Sequence, residues 1–273
     1  MMMTMVRGIA LGILGTLAFV VFGASANFAA DLDCLIEPKV IAAISSSVDG
    51  LLETVTVDRG DLVEEGQVVA TLESSVEKAT VALARARTQL QATIKAGEVR
   101  VDFGGRQFAR AEEVFRDTGI SFKDVDEAAT TKALAEVSVL EAMENKHLAE
   151  MELERAVAEL AVRTVRSPIT GVVTERLLSP GEFAKQSPIL KVAQLDPLRV
   201  EVIVPVAQLG KITVGMAAEI VPEAPISGVY RARVTVVDRV VDAASGTFGV
   251  RLELPNPGYR LAAGLKCKVR FPR

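Results

Sequence analysis

Cysteine and histidine, the side chains best suited to nucleophilic and transition-metal chemistry, are few in this 273-residue chain: Cys34, Cys267 and the single histidine, His147. His147 lies among Glu144, Lys146 and Glu150 in a stretch rich in helix formers and reads as a solvated helix residue. No histidine or asparagine sits near either thiol, so nucleophilic catalysis by cysteine has no activating base. No Cys/His/Asp cluster has metal-ligand spacing, and no glycine-rich loop between strand and helix would cradle a phosphate. Gly60, Gly66 and Gly181 are better read as turn residues needing positive φ. The expectation is therefore a chain with no catalytic residue, no metal and no cofactor. Oxidation is the chemistry that remains. In an oxidising compartment Cys34 and Cys267 can form one disulfide, closing a loop worth about 3–5 kcal/mol in the chain-entropy picture. Two buried free thiols are the alternative.

The compartment follows from the amino terminus. Arg7 precedes an apolar run from Gly8 to Phe22, and Gly23-Ala24-Ser25-Ala26 ends it with an A-x-A pattern. That composition fits an export signal cleaved before Asn27, or an uncleaved anchor, since Val6 to Ala30 holds only small and apolar residues apart from Arg7 and Asn27. Either reading exports the bulk of the chain. A formal net charge of −4 excludes the basic footprint that nucleic acid requires. Aromatics are only 4%, so Gly, Val, Ala and Leu must carry the core, which suits small sheets and thin helical pairs.

One pattern occurs twice. From Val48 the chain reads V-D-G-L-L-E-T-V-T-V-D-R-G-D-L-V-E-E-G-Q-V-V-A-T-L, and from Ile169 it reads I-T-G-V-V-T-E-R-L-L-S-P-G-E-F-A-K-Q-S-P-I-L-K-V-A. Gly50 aligns with Gly171, Gly60 with Gly181, Asp61 with Glu182 and Val69 with Leu190, without a gap. Both copies alternate apolar and polar residues around a Gly-acid turn, the mark of short half-buried strands. Neither copy can cover its own apolar face, so the two are expected to pack on each other.

The residues between the copies are helical in character. Ser74 or Ser75 with Glu77 can start a first helix running to about Thr118, with Ala79, Leu83, Ala86, Leu90 and Ile94 at seam spacing. Gly97 and the Gly104-Gly105 pair are expected to kink or fray it. A second helix is expected from Phe122 to about Val162, with Val137, Leu140, Leu148, Met151 and Ala158 near one stripe. Gly119 suits a left-handed cap, and Ser121 with Asp124 forms a capping-box pattern, so a short turn should set the helices antiparallel. Forty-odd helical residues make an arm of roughly 60 Å. Beyond Asp196-Pro197, strand-like runs at 199–205, 217–221, 230–241, 246–254 and 265–271 suggest a small antiparallel barrel.

Two resemblances rest on these residues. The repeat resembles half of a biotinyl/lipoyl-carrier domain, in which a lysine just after the final Glu of the pattern holds the prosthetic group. Here Glu73 is followed by Ser74, Ser75 and Val76, and Lys78 comes two places late, so the amine such a carrier needs is missing. The split repeat with its helical insert, behind an export signal, resembles the periplasmic adaptor (membrane fusion, HlyD/RND efflux adaptor) family. The fold class this implies is α+β: a split lipoyl-like β-sandwich with an inserted α-helical coiled-coil hairpin, followed by a small antiparallel β-barrel. Expected boundaries are 1–26 for the signal or anchor, 27–39 for an N-terminal segment, 40–74 and 163–196 for the two lipoyl-like halves, 75–162 for the hairpin and 197–273 for the barrel. The family's hairpin-tip motif is matched by Arg110, Val114 and Ser121, with Val114 where the family usually carries Leu. The resemblance implies that this tip docks on an outer-membrane exit duct, that the base grips an inner-membrane exporter of the RND type, and that copies self-associate into a ring or funnel. The alternatives are the adaptor of an ATP-driven system, an exported coiled-coil scaffold, and a carrier domain.

Overall fold

The computed structural model describes residues 31–118, 121–185 and 187–272. Expectations for residues 1–26, and for the Gly119 cap, fall outside them. Among the described residues, no helix is long and apolar enough to cross a membrane. The chain divides into two units, one of residues 35–201 and 253–265, the other of 202–252 and 266–273 with the chain up to Cys34.

The first unit contains the repeat. Strand β1 (Leu32–Ser45), mostly in this unit, leads into β2 (Gly50–Val55), β3 (Leu62–Val63) and β4 (Val68–Leu72). After the helices come β5 (Thr164–Arg166), β6 (Gly171–Arg176), β7 (Phe183–Ala184) and the start of β8 (Pro188–Pro205). The two copies are bonded to each other by an exchange. In β2 and β7, Gly50 lies opposite Ala184 and Leu51 opposite Phe183. In β3 and β6, Val63 lies opposite Gly171 and Leu62 opposite Val172, which is the same pairing moved from one copy to the other. Gly60 N donates to Val173 O and Gly181 N to Leu52 O, both at 2.8 Å. The turns match as well, with Asp58 N donating to Asp61 Oδ2 at 2.7 Å and Ser179 N to Glu182 Oε2 at 2.6 Å.

Glycine serves these turns in two ways. Gly60, Gly66 and Gly181 have φ of +95°, +82° and +87°, where a Cβ is strained. Gly50 and Gly171 instead sit where another part of the module approaches closely. Leu52, Val69, Leu72, Val173, Leu190 and Val192 are fully buried in the shared core, each contributing roughly 1.5–3 kcal/mol by removal from water.

Three details differ from expectation. The first helical stretch is two helices, α1 (Ser75–Thr88) and α2 (Ala92–Thr118), broken at Gln89–Gln91 rather than at a glycine. There Gln89 N donates to Ala86 O and Leu90 N to Arg87 O, so the ladder tightens to i−3 bonds, while Thr88 Oγ1 bonds back to Arg85 O. The start of α1 is capped by Glu73, whose Oε1 accepts from Ser75 N at 2.8 Å, and not by a serine hydroxyl. Finally, β8 runs through Asp196-Pro197 without a break. There Asp196 Oδ1 and the Leu195 carbonyl accept bonds from the buried Asn256.

The second unit is antiparallel. β9 (Ala217–Pro222) lies between β10 (Tyr230–Val237) and β12 (Lys266–Arg270), and β11 (Thr247–Leu254) follows β10 in the sheet. β10 stops short of Val241 because the Asp242 carboxylate accepts from Ala244 N and Ser245 Oγ, closing a turn. Cys34 and Cys267 are joined as a disulfide, both buried, with Cα atoms 4.8 Å apart. Ion pairs Asp33–Lys268 and Asp31–Arg270 continue the same edge, and the Arg270 hydrogen bonds hold the Asp31 carboxyl below its ordinary range.

Candidate functional site

The long helices carry the candidate site. α3 (Phe122–Ala161) has 40 residues, about 60 Å at 1.5 Å per residue. Its contacts run in opposite order to the chain before it. Arg163 Nη2, just past α3, meets Glu77 at 2.6 Å, Arg87 meets Glu152 at 3.0 Å, Gly97 faces Val139, and Gly104 faces Lys132. The Lys132 ammonium lies 5.9 Å from the Phe108 ring centroid. Farthest from the sheets, Phe115 and Phe122 meet edge to face at 6.4 Å.

Small residues allow this approach. A Cβ on Gly104 would stand 3.1 Å from the Lys132 Cα, and one on Gly97 would stand 2.7 Å from Val139 Cγ2. The buried positions are Val81, Ala84, Gly97, Gly104, Ala128 and Ala156, with Leu153 and Leu160 packed partly in. The stripes expected to form the seam point elsewhere: Leu83, Leu90, Val137, Leu140 and Leu148 are all more than half exposed. Alanine and glycine bring the backbones so close that bulky side chains are excluded from the line of contact. α3 also carries ten carboxylates against four Lys or Arg, whereas α2 carries five of each.

At the far end, Arg110 and Val114 are exposed one turn apart on α2. Ser121 is the N-cap of α3, its Oγ accepting from Lys123 N at 3.2 Å. The expected capping box takes the form of this single bond, one residue earlier than Asp124, while Asp124 supplies first-turn negative charge. Sequence reasoning passed over Phe115 and Phe122, which are 40% and 71% exposed at this end. Their signal was available: Phe108, Phe115 and Phe122 recur at intervals of seven in a chain poor in aromatics.

The remaining candidates lie apart. Val76 is exposed in the first turn of α1. His147 is exposed, 3.7 Å from Glu150. Among the described residues no group of three or more His, Cys, Asp or Glu could hold a metal.

Comparison with known proteins accords with this architecture. Residues 40–194 match the family described as CzcB-like, barrel-sandwich hybrid domain, and residues 198–273 match the CusB-like, beta-barrel domain. The macrolide export protein MacA of Yersinia pestis is 26% identical over 237 residues, covering 83% of this chain and 63% of that protein. An uncharacterized protein of Haemophilus influenzae is 22% identical over 239 residues, covering 87% of this chain and 56% of its own. The chain thus spans 56% to 63% of the length of these curated relatives. The crystal structure of MacA from Actinobacillus actinomycetemcomitans gives a TM-score of 0.75 at 21% identity, covering 89% of this chain and 78% of that one. The membrane fusion protein Spr0693 of Streptococcus pneumoniae R6 gives 0.61 at 15% identity, covering 88% and 97%. At these identities the likeness to solved structures is one of fold.

Proposed function

Because this chain belongs to the CzcB-like barrel-sandwich hybrid family of membrane fusion, or periplasmic adaptor, proteins, we propose that it is the adaptor subunit of a tripartite efflux pump. In this reading it stands in the periplasm at the inner membrane and couples an inner-membrane exporter, of the RND type, to an outer-membrane exit duct. One observation carries the proposal. The barrel-sandwich module is built from two distant pieces of chain, and what interrupts it is an arm in which α1 and α2 run against α3, itself about 60 Å long. A compact binding domain has no use for such an arm, whereas a bridge between two membranes does. The role is mechanical, and no residue is assigned to catalysis.

Docking falls to the hairpin end. Arg110 offers a planar fork of donors to carbonyls or carboxylates, Val114 a small apolar contact, and Ser121 a hydroxyl already fixed by its capping bond. Phe115 and Phe122 add aromatic surface there. Self-association into a ring or funnel is favoured by the outward stripe Leu134, Val137, Leu140 and Leu148 on α3.

A cysteine in place of Asp117 tests the docking end, since both native cysteines are bonded to each other. Cross-linking in cells is expected to trap an outer-membrane duct protein, and capture of inner-membrane proteins alone overturns the reading. Co-purification from detergent-solubilised membranes tests the exporter type. An RND protein is expected, and an ATP-driven transporter in its place refutes that part.

A further inference from the structure

The pairing within the second unit fixes which loops share an end. β9 runs against β10 with Ala217 opposite Arg233, and against β12 with Arg270 opposite Glu219. The start of β9, the end of β10 and the end of β12 are therefore together. Loop 206–216 reaches this end through Gly215 N, which donates to Val234 O, and loop 238–246 meets it where Val206 N donates to Gly246 O. Asp31 lies there too, held by two bonds from the Arg270 guanidinium.

Loop tips exposed to water are ordinarily polar. These are not: Val206, Leu209, Val214 and Val240 are 45%, 50%, 66% and 81% exposed. Loop 206–216 has no acidic residue and one cation, Lys211, and loop 238–246 carries Arg239 beside Val240. The second loop has two carboxylates: Asp238, which is exposed, lies over Gly249 of β11, and Asp242 is turned into its own turn, accepting from Ala244 N and Ser245 Oγ. At the opposite end, residues 223–229 read Glu-Ala-Pro-Ile-Ser-Gly-Val, with one exposed large apolar side chain, Val229.

The chain ahead of Asp31 names the occupant. Its apolar run from Gly8 to Phe22 ends nine residues before Asp31, and nine extended residues reach no more than about 30 Å. With that run in a bilayer, the two apolar loops are tethered close to the lipid surface. We propose that this end of the barrel unit rests on a lipid bilayer, with Val206, Leu209, Val214 and Val240 entering the boundary between headgroups and acyl chains and Lys211 and Arg239 reaching lipid phosphates. Apolar tips flanked by long cationic side chains are what that boundary favours. The inference needs neither the exit duct nor the exporter, so it stands or falls separately from the adaptor reading.

The test uses the full chain with Leu209→Cys or Val240→Cys, labelled with an environment-sensitive dye. Each is reconstituted alone into phosphatidylethanolamine–phosphatidylglycerol vesicles bearing shallow nitroxide lipids. Fluorescence at both sites is expected to fall roughly twofold, while the same dye at Val229 or Leu148 is unaffected. Quenching at 209 and 240 by aqueous iodide, with none from the nitroxide lipids, overturns the proposal. So does shielding from both quenchers, which assigns the face to a second copy of this chain. In a companion variant, Leu209→Glu with Val240→Glu is expected to abolish lipid quenching of a dye at Val214 while the disulfide and the urea midpoint are retained. Persistent quenching there refutes the assignment.

Discussion

Gly50 and Gly171 hold equivalent places in the two copies, yet replacing each by alanine should have unequal consequences. A Cβ at Gly171 falls on the carbonyl group of Ala193, with the carbonyl carbon at 2.8 Å and Val192 Cγ1 at 3.0 Å. That obstacle is backbone. β6 must then move off β8, weakening the pairing of Val172 with Ala193 and Val173 with Val192. Overpacking of about 3 kcal/mol plus one or two strained ladder bonds at about 1 kcal/mol each gives a loss of about 4–5 kcal/mol. A Cβ at Gly50 meets Leu72 Cδ2 at 2.7 Å and Arg163 Nη1 at 2.8 Å, both of them ends of side chains. Shifting the buried Leu72 and giving up the Arg163 Nη1 bond to the Asp49 carbonyl costs about 2–3 kcal/mol. The entropy lost by the unfolded chain on going from glycine to alanine is the same at both sites and cancels in the difference. Urea unfolding followed by circular dichroism is expected to separate the variants by about 2 kcal/mol. Equal losses, or a larger one for Gly50→Ala, would refute the claim that backbone contact distinguishes the two sites.

The helices offer a similar pair. Gly105 has open space where a Cβ would go, so Gly105→Ala should stabilise by up to about 1 kcal/mol through helix propensity. Gly104→Ala should lose about 1–2 kcal/mol against the Lys132 backbone, and thermal melts at 222 nm should show opposite shifts. Reducing the Cys34–Cys267 bond, which spans 233 residues, should cost up to about 5 kcal/mol in the chain-entropy picture. A urea midpoint unchanged by reductant, or in the Cys34→Ser, Cys267→Ser double variant, would count against it. Hydrogen bonds from Ser75 hold the Glu73 carboxyl below its ordinary 4.5. A carboxyl depressed in the folded state contributes fully above its unfolded value, and that contribution fades as pH falls through the folded value. Glu73→Gln should therefore narrow the difference in urea midpoint between pH 6 and pH 3, and an unaltered difference would remove Glu73 as a cause.

The repeat was legible because strand alternation leaves a period-two trace and both copies keep glycine where backbone must approach or φ must be positive. The helix pair was legible as a pair, but its contact line was not. Leu83, Leu90, Val137 and Leu148 are the most apolar residues at helical spacing, and spacing alone assigns them to a seam. The real seam is glycine and alanine, which a search for large apolar residues overlooks because their contribution is the closeness of the backbones. Gly97 and Gly104, read as breakers, are contact residues for the same reason. The break at Gln89–Gln91 has no glycine or proline to announce it and arises from i−3 bonding that propensity does not register. Composition left the two cysteines open between a bond and two thiols. Only the pairing along β1 and β12, with Asp31 on Arg270 and Asp33 on Lys268, brings them together.

The position of the insert follows from the exchange between the copies. Thr71 and Thr164 are cross-strand partners, and Leu72 N donates to Arg163 O at 2.9 Å, so the chain leaves and re-enters the module at adjacent points. Arg163 secures the junction, bonding Glu77 of α1 at 2.6 Å and the Asp49 carbonyl of the first copy at 3.2 Å. The sheets therefore meet the insert as a loop already closed at its base, and closure entropy rises only slowly with loop length. Nothing in the module then dictates how long the helices are. Within the insert, Gly97 and Gly104 recur after seven residues, so lengthening or shortening both helices by a heptad leaves their seam in register. A length that neither the module nor the seam determines is left to be set by whatever distance the helices have to span.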